Sequence, residues 1–181
     1  NEGYAVAKVA GLKLCSFFNR QYGTDFITVI PPNLYGPGDN FDFETSHVIA
    51  ALIRRFHEAK IQKSDQVIVW GSGKARREFM FVEDLADAIH HLLSIEHEYD
   101  VINVGVGDEV SIRELAETLS EVVGYDGEIV FDSSKPDGMP RKLVDSSRIR
   151  TLGWEPKTSL EKGLRIAYDW FIENKEADHG R

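Results

Sequence analysis

The chain has 181 residues, 42% hydrophobic and 28% charged, which is typical of a globular protein with one sizeable core, and no apolar run approaches the ~18 to 20 residues of a membrane helix. Its formal net charge of −9 argues against general nucleic-acid binding, because proteins with that activity usually present a basic surface. The single cysteine, Cys15, excludes an internal disulfide and fits a reducing cytoplasm, where we expect the protein to be located.

The first elements of the chain have clear sequence signals. Residues 2–22 predict an amphipathic helix, because apolar side chains recur at helical spacing. These side chains are Val6, Ala10, Leu14 and Phe17. Gly23 is expected to end the helix in a left-handed conformation. The apolar residues 26–31 then predict a buried strand, and the prolines and glycines of residues 31–38 predict a loop.

Helices and strands alternate along the rest of the chain. Further helices are predicted to begin near Ser46, a good N-cap residue, and near Glu83. The predicted strands are short and apolar, and they cover residues 66–70, 78–82 and 101–104. This alternation predicts an α/β protein with parallel strands.

Two capping-box signatures mark the starts of the last long helices. Ser111 is followed three residues later by Glu114, so each can satisfy a free backbone N–H group at the start of a helix. Thr158 and Glu161 repeat the same spacing, and they predict the start of the final helix.

Three short basic pairs interrupt an otherwise acidic sequence. They are Arg54-Arg55, Arg76-Arg77 and Arg141-Lys142. Any one pair is explained as well by a solvated surface. Together the pairs would suit one small, multiply charged anion such as a diphosphate, provided that the fold brings them together.

Tyr4 and Lys8 are a candidate catalytic pair. They lie four residues apart on the predicted first helix, so their side chains point to the same face. A cationic lysine beside a phenol favours the phenolate, and such a tyrosine can donate a proton to the alkoxide that forms when a ketone is reduced by hydride. The spacing alone fits an ordinary surface pair equally well.

The sequence after this pair adds specificity. Tyr4-Ala5-Val6-Ala7-Lys8 precedes a predicted strand and then Asn33-Leu34-Tyr35-Gly36-Pro37, an order that resembles the extended short-chain dehydrogenase/reductase family. The resemblance implies part of a Rossmann-type NAD(P)-binding fold with a smaller α/β substrate-binding domain. It implies that Tyr4 is the proton donor or acceptor and that Lys8 also binds the nicotinamide ribose. The turn with Pro31, Asn33 and Leu34 would contact the cofactor and the substrate.

Further motifs cover nearly the whole chain. They are Asp39-Asn40-Phe41, Ser46-His47-Val48-Ile49, Leu52-Ile53-Arg54-Arg55-Phe56-His57, Val69-Trp70-Gly71-Ser72-Gly73, Arg77-Glu78-Phe79 and Lys135-Pro136-Asp137-Gly138-Met139-Pro140-Arg141-Lys142. This series resembles the GDP-L-fucose synthase group within that family. The resemblance implies that GDP-4-keto-6-deoxy-D-mannose is epimerised at C3 and C5 and then reduced at the 4-keto group by NADPH.

The same resemblance implies roles for individual residues. His47 matches the epimerisation acid/base and a cofactor contact, and an imidazole titrates near neutral pH as that role requires. The positions that match substrate contacts are Asn33, Val48, Leu52, Arg55, Trp70, Arg77 and Lys142. The basic members of this set would hold the diphosphate and sugar. Trp70, Val48 and Leu52 would surround the guanine, although without the resemblance these three would be assigned to the core. No metal site is expected.

Several features of that group have no counterpart in this sequence. They are the glycine-rich cofactor turn, the catalytic serine and an epimerisation cysteine upstream of the tyrosine. We therefore expect a carboxyl-terminal fragment of a homodimeric enzyme, inactive alone and at best a weak GDP-sugar binder. Residues 1–31 and 78–105 would complete the Rossmann domain, and residues 32–77 and 106–181 would bind the nucleotide sugar. The alternatives are another nucleotide-sugar epimerase, dehydratase or reductase of this fold, or an inactive GDP-sugar-binding module.

Overall fold

The structure, a computed structural model, describes residues 2–42 and 45–178. The helices are α1 (Glu2–Tyr22), α2 (Val48–Gln62), α3 (Val82–Ser94), α4 (Ile112–Val123), α5 (Ser147–Thr151) and α6 (Leu160–Asp178). The strands are β1 (Thr28–Ile30), β2 (Asn33–Tyr35), β3 (Gln66–Trp70), β4 (Arg76–Arg77), β5 (Phe79–Phe81), β6 (Val101–Asn103), β7 (Val110–Ser111), β8 (Glu128–Asp132) and β9 (Arg141–Lys142). No helix among the described residues combines the length and apolar character that a membrane span requires.

The strands pair mostly in parallel, which confirms the predicted α/β class. β1 pairs with β6, β2 with β5, and β3 with β8, each in parallel. β4 is the central strand of a three-stranded sheet, antiparallel to β7 and parallel to β9. The strands of this last sheet are only two residues long.

Two apolar cores hold the elements together. The larger core fills the space between α2, α4 and α6 and the strands β2, β3 and β5, and its fully buried members include Ile53, Phe56, Leu115, Leu119 and Leu164. The smaller core lies between α3, α5 and β6, and its members are Met80, Ala88, Leu92, Ile102, Val104, Ile149 and Trp154. In α4 the apolar positions recur every three to four residues, so one face of the helix packs into the larger core.

The predicted first helix is confirmed, but its apolar face is not covered by the rest of the chain. α1 ends where predicted, since Gly23 has φ 64° and donates its backbone N–H to the Asn19 carbonyl at 3.0 Å. None of its residues is buried. Val6, Leu14 and Phe17 are each more than half exposed.

The local signals at the helix starts are partly confirmed. Ser111 and Glu114 form both hydrogen bonds of a capping box, as predicted. The second predicted box is wrong: Thr158 donates its backbone N–H and its hydroxyl to the Asp84 carboxylate, and α6 begins at Leu160. Thr158, which the spacing predicted as the N-cap residue of the final helix, is therefore hydrogen-bonded to the buried Asp84 carboxylate instead.

Three further predictions also differ from the structure. The second helix was expected from Ser46, but α2 begins at Val48, with His47 in the extended conformation of an N-cap residue. The stretch predicted as a loop contains β2, which forms because its backbone pairs with β5, far along the chain. The strand predicted over residues 26–31 is shorter, since β1 covers Thr28–Ile30.

Candidate functional site

The predicted Tyr4–Lys8 pair is present on the surface of α1. The Lys8 Nζ atom lies 5.4 Å from the centroid of the Tyr4 ring, so the two side chains share one face as their spacing predicts. Tyr4 is 67% exposed. The geometry leaves the phenol accessible to a ligand from outside this chain, and its catalytic role remains a prediction.

The turn after β1 is anchored to the strand next to it. The Asn33 side-chain amide and backbone N–H both donate to the Glu78 carbonyl, at 3.0 and 3.3 Å. Leu34 packs against the smaller core, and Pro31 is half-buried. The turn therefore has a fixed backbone at the carboxyl end of a parallel strand, which is where α/β sheets bind ligands.

His47 occupies the N-cap position of α2. Its backbone has φ −75° and ψ 165°, and its carbonyl accepts the Ala51 backbone N–H at 2.8 Å. The side chain makes no capping hydrogen bond and is exposed. The imidazole is thus not used to complete the helix start, in contrast to the capping role that a polar residue at this position usually has.

Trp70 is an exposed aromatic ring flanked by two cations. The ring ends β3 and is 61% exposed. The Arg55 guanidinium carbon lies 5.2 Å from its centroid and the Lys135 Nζ atom lies 5.6 Å from it, both within cation–π range. The exposed indole can stack on a planar ring of a ligand, and the two cations beside it can attract an anion attached to that ring.

Val48 and Leu52, the other predicted guanine contacts, lie in different environments. Leu52 is 2% exposed and belongs to the larger core, whereas Val48 is 37% exposed. Assigning Trp70, Val48 and Leu52 to the core would therefore be right for Leu52 and wrong for the other two. The guanine contact of Leu52 remains a prediction that its burial does not support.

A loop carrying Lys135 is fastened to the end of β3. The Asp137 carboxylate accepts the Ser72 backbone N–H at 2.6 Å and the Ser72 hydroxyl at 2.7 Å. These hydrogen bonds, with smaller effects from Lys74 and Arg77, hold the pKa of Asp137 below its usual range. At Gly71, where φ is +89°, a Cβ atom would clash with this carboxylate. The contact places Lys135 beside Trp70.

Two of the three basic pairs lie side by side in β4 and β9. Arg76 is opposite Arg141, and Arg77 is opposite Lys142. Glu109 forms ion pairs with both Arg76 and Arg141, at 2.9 and 2.8 Å. These hydrogen bonds, that from Arg141 first, hold the pKa of Glu109 below its usual range.

Among the described residues, one cation of each basic pair forms no ion pair. In the third pair Arg54 forms an ion pair with Glu58 at 2.8 Å. Within the part of the chain that the structure describes, the remaining members form no ion pair, and they are Arg55, Arg77 and Lys142. Arg77 donates to the Arg76 carbonyl at 2.7 Å, and Arg55 donates to the Ile68 carbonyl at 3.3 Å. These three cations can still bind an external anion.

Glu78 fixes the backbone around the basic strands. Its carboxylate is fully buried and accepts the backbone N–H groups of Gly107 at 2.8 Å and of Val144 at 2.9 Å. A buried carboxylate costs free energy unless it is hydrogen-bonded, and these contacts meet that need. No local sequence pattern indicates this role of Glu78 or the ion pairs of Glu109, because both depend on contacts between distant segments.

A surface cleft of about 630 Å³ lies next to β9, on the side of α5. Its lining residues are Gly107, Arg141, Leu143, Val144, Asp145, Ser146, Ser147 and Arg150. None of the residues predicted for the cofactor or the substrate lines it. The described residues also contain no cluster of histidine, cysteine or acidic side chains that could hold a metal ion.

Comparisons with known proteins identify the family of the chain. Residues 1–105 match the model of the NAD dependent epimerase/dehydratase family. The chain is 53% identical to the GDP-L-fucose synthase of Escherichia coli (strain K12), covering 99% of this chain and 59% of that protein. It is 55% identical to the probable GDP-L-fucose synthase 1 of Oryza sativa subsp. japonica, covering 96% of this chain and 53% of that protein.

A solved structure shares the fold. It is a GDP-L-fucose synthetase from Naegleria fowleri bound to NADP, with a TM-score of 0.87 and 32% identity, covering 96% of this chain and 56% of that chain. This chain therefore spans between half and three fifths of the length of the relatives it matches.

Proposed function

The chain belongs to the NAD dependent epimerase/dehydratase family, and on that premise we propose that it supplies the substrate-binding part of a GDP-L-fucose synthase. The reaction is the conversion of GDP-4-keto-6-deoxy-D-mannose to GDP-L-fucose. The observation that carries the proposal is that Arg55, Arg77 and Lys142 form no ion pair among the described residues, in a chain that is 53% identical to a GDP-L-fucose synthase over 99% of its own length.

The diphosphate is bound by the two cations on one face of the basic strands. Arg77 and Lys142 lie opposite each other in β4 and β9, so their charges act on the same anion. A planar guanidinium can donate two hydrogen bonds to phosphate oxygens, and an ammonium adds a compact charge. Arg55 reaches the same ligand from the side of Trp70.

The guanine stacks on Trp70. The indole is exposed, and Arg55 and Lys135 lie near its ring, so a base bound there has cations next to it for its phosphates. Val48 adds apolar contact on the exposed side of α2.

The catalytic groups on this chain are Tyr4, Lys8 and His47. The 4-keto group acidifies the C–H bonds at C3 and C5, and His47 exchanges protons there together with a cysteine expected upstream of this chain. Tyr4 then protonates the C4 oxygen as it gains negative charge, and Lys8 stabilises the phenolate that remains.

The cofactor is NADPH, which supplies the hydride for C4 when bound. Residues of this chain fit its nicotinamide end. Tyr4 and Lys8 present a phenol and an ammonium on one exposed face, and Pro31, Asn33 and Leu34 form an anchored turn at the carboxyl end of β1. His47 is proposed as a further cofactor contact. The groups that would bind the pyrophosphate are not in this chain.

The organisation of the complete enzyme is part of the proposal. Residues 1–31 and 78–105 complete a Rossmann domain, and residues 32–77 and 106–181 form the nucleotide-sugar domain. The presence of two cores supports a division of this kind, although α5 packs with the smaller core and Phe79 and Phe81 of β5 pack with the larger one. The complete enzyme is a homodimer in the cytoplasm.

The test is NADPH oxidation with GDP-4-keto-6-deoxy-D-mannose as substrate. We would compare this chain with a longer protein in which the upstream part of the Escherichia coli relative is joined to it. We expect turnover only in the longer protein. In it, Tyr4→Phe should lower kcat by about 10²- to 10⁴-fold, which is the range for a lost general acid. Tyr22→Phe, also exposed on α1, should leave kcat unchanged.

The other outcomes decide between the alternatives. Full activity in the Tyr4→Phe variant would remove the catalytic assignment. Turnover of a different nucleotide sugar, but not of this one, would indicate a sister enzyme of the same fold. A folded longer protein that binds GDP and turns over no sugar would favour an inactive binding module.

A further inference from the structure

Glu109 forms ion pairs with Arg76 and Arg141, neither of which is assigned to the ligand. We infer that Glu109 is a positioning residue, which holds β4 and β9 in the register that presents Arg77 and Lys142 to the diphosphate. This inference deepens the proposed function and rests on it.

Glu109 joins the two basic strands through their side chains. Its side chain is only 12% exposed, with one carboxylate oxygen 2.9 Å from the Arg76 Nε atom and the other 2.8 Å from the Arg141 Nε atom. Its backbone carbonyl accepts a further hydrogen bond from Arg76, at 2.7 Å. One glutamate thus binds the pair of arginines that lie opposite each other.

The register of β4 and β9 rests on few contacts outside the arginine side chains, one of which is the hydrogen bond from the Val144 N–H to the Glu78 carboxylate at 2.9 Å. β4 and β9 are two residues long. The flanking backbone hydrogen bonds are those from Arg76 N–H to the Pro140 carbonyl at 2.9 Å and from Glu78 N–H to the Lys142 carbonyl at 3.3 Å. If one strand slipped by one residue relative to the other, its side chains would move to the opposite face of the sheet, because successive side chains point to opposite sides. Arg77 and Lys142 would then no longer lie opposite each other. The ion pairs to Glu109 oppose such a slip.

Charge makes the contact more important. Arg76 and Arg141 are like charges directly opposite each other, an arrangement that destabilises a strand pair unless something neutralises it. Glu109, together with Glu114 at 3.4 Å from Arg76, balances the charge of this face, while Arg77 and Lys142 on the other face form no ion pair among the described residues. Without Glu109, repulsion between the arginines would separate the strands that carry the two ligand-binding side chains.

The positioning role and a simple charge effect predict opposite results. Glu109 is an anion near the proposed site of another anion, so its charge alone weakens diphosphate binding, and removing the charge would tighten it. If Glu109 positions Arg77 and Lys142, its removal instead weakens diphosphate binding. A residue that only stabilises the fold would affect the guanine and the diphosphate alike.

The test measures the affinity of this chain for GDP and for guanosine, which lacks the phosphates. Titrations are followed by the NMR signal of the Trp70 indole N–H, which allows weak binding to be measured. The variants are Glu109→Ala and Glu109→Gln, the second keeping the shape of the side chain in case the first does not fold. Glu161→Gln is the matched control, because Glu161 pairs with Arg165 at 3.7 Å on the surface of α6. Arg77→Ala measures the direct contact.

We expect Glu109→Ala to weaken GDP binding by about tenfold, the size of one lost charge-assisted contact, and Glu109→Gln to weaken it less. Guanosine binding and the Glu161→Gln control should change by less than about twofold. Unchanged or tighter GDP binding in both Glu109 variants would overturn the inference, and so would an equal loss for GDP and guanosine.

Failure of the proposed function gives a different result. If Arg77→Ala binds GDP as well as the unaltered chain, or if that chain does not bind GDP, the diphosphate site itself is wrong and the positioning role falls with it. If Arg77→Ala loses affinity while the Glu109 variants do not, only the positioning role is wrong.

Discussion

Truncating Leu52 to alanine should destabilise the protein and leave GDP binding unchanged. Leu52 is 2% exposed and packs in the larger core, although it matches a position expected to contact the guanine. The substitution removes three buried carbon atoms, worth about 2 kcal/mol in transfer free energy. The cavity that remains adds to this cost, so the free energy of unfolding should fall by about 3 to 4 kcal/mol.

Val48 provides the matched control for this experiment. It lies one helical turn before Leu52 on α2 but is 37% exposed, so Val48→Ala should cost less than about 1 kcal/mol. The free energy of unfolding is measured by urea denaturation followed by circular dichroism, and the dissociation constant for GDP is measured by calorimetry on the folded variants.

The result that would refute this reasoning is specific. If Leu52→Ala lowers the free energy of unfolding by less than about 1 kcal/mol and weakens GDP binding by about tenfold, Leu52 contacts the ligand rather than the core. The burial argument would then be wrong for this position.

Two further predictions concern contacts outside the site. Ser111→Ala removes the hydroxyl that accepts the Glu114 N–H at 3.1 Å, so thermal unfolding should show a loss of about 1 kcal/mol; an unchanged melting temperature would contradict the capping role. Hydrogen bonds from Lys157, first, and from Trp154 hold the pKa of Asp87 below its usual range. A carboxyl whose pKa is lower when folded stabilises the protein above its unfolded pKa and loses that effect as the pH falls through its folded pKa. The stability advantage of the unaltered chain over Asp87→Asn, measured by urea denaturation, should therefore shrink below about pH 4, and a constant difference would contradict it.

The elements that could be predicted from the sequence are those defined by neighbouring residues. α1 follows the apolar spacing and the glycine at its end, and the start of α4 follows the Ser111–Glu114 box. β3 has the predicted bounds because its apolar run ends at Gly71, which directly follows Trp70. In each case the signal lies within the element itself.

The elements that were missed depend on distant partners. β2 follows two prolines, and it is a strand because it pairs with β5, which comes more than forty residues later. Thr158 has a good capping-box spacing, but the Asp84 carboxylate, 74 residues earlier in the chain, accepts its hydrogen bonds. No local pattern reveals such a competitor.

The candidate site shows the same limit. The sequence identifies three basic pairs but does not say which member of each pair is available to a ligand. For Arg54 and Glu58 the answer is local, since they are four residues apart on one helix. For Arg76 the partner is Glu109, 33 residues away, and only the fold brings them together.

The pairing of Arg76 determines the role of its neighbour. Because side chains alternate along a strand, the ion pair between Arg76 and Glu109 directs Arg77 to the opposite face, and the same holds for Arg141 and Lys142. Among the described residues, the members of the three basic pairs that form no ion pair are Arg55, Arg77 and Lys142, the same three that the sequence resemblance predicts as diphosphate and sugar contacts. Ion pairing within the fold therefore leaves the predicted anion contacts available to a ligand.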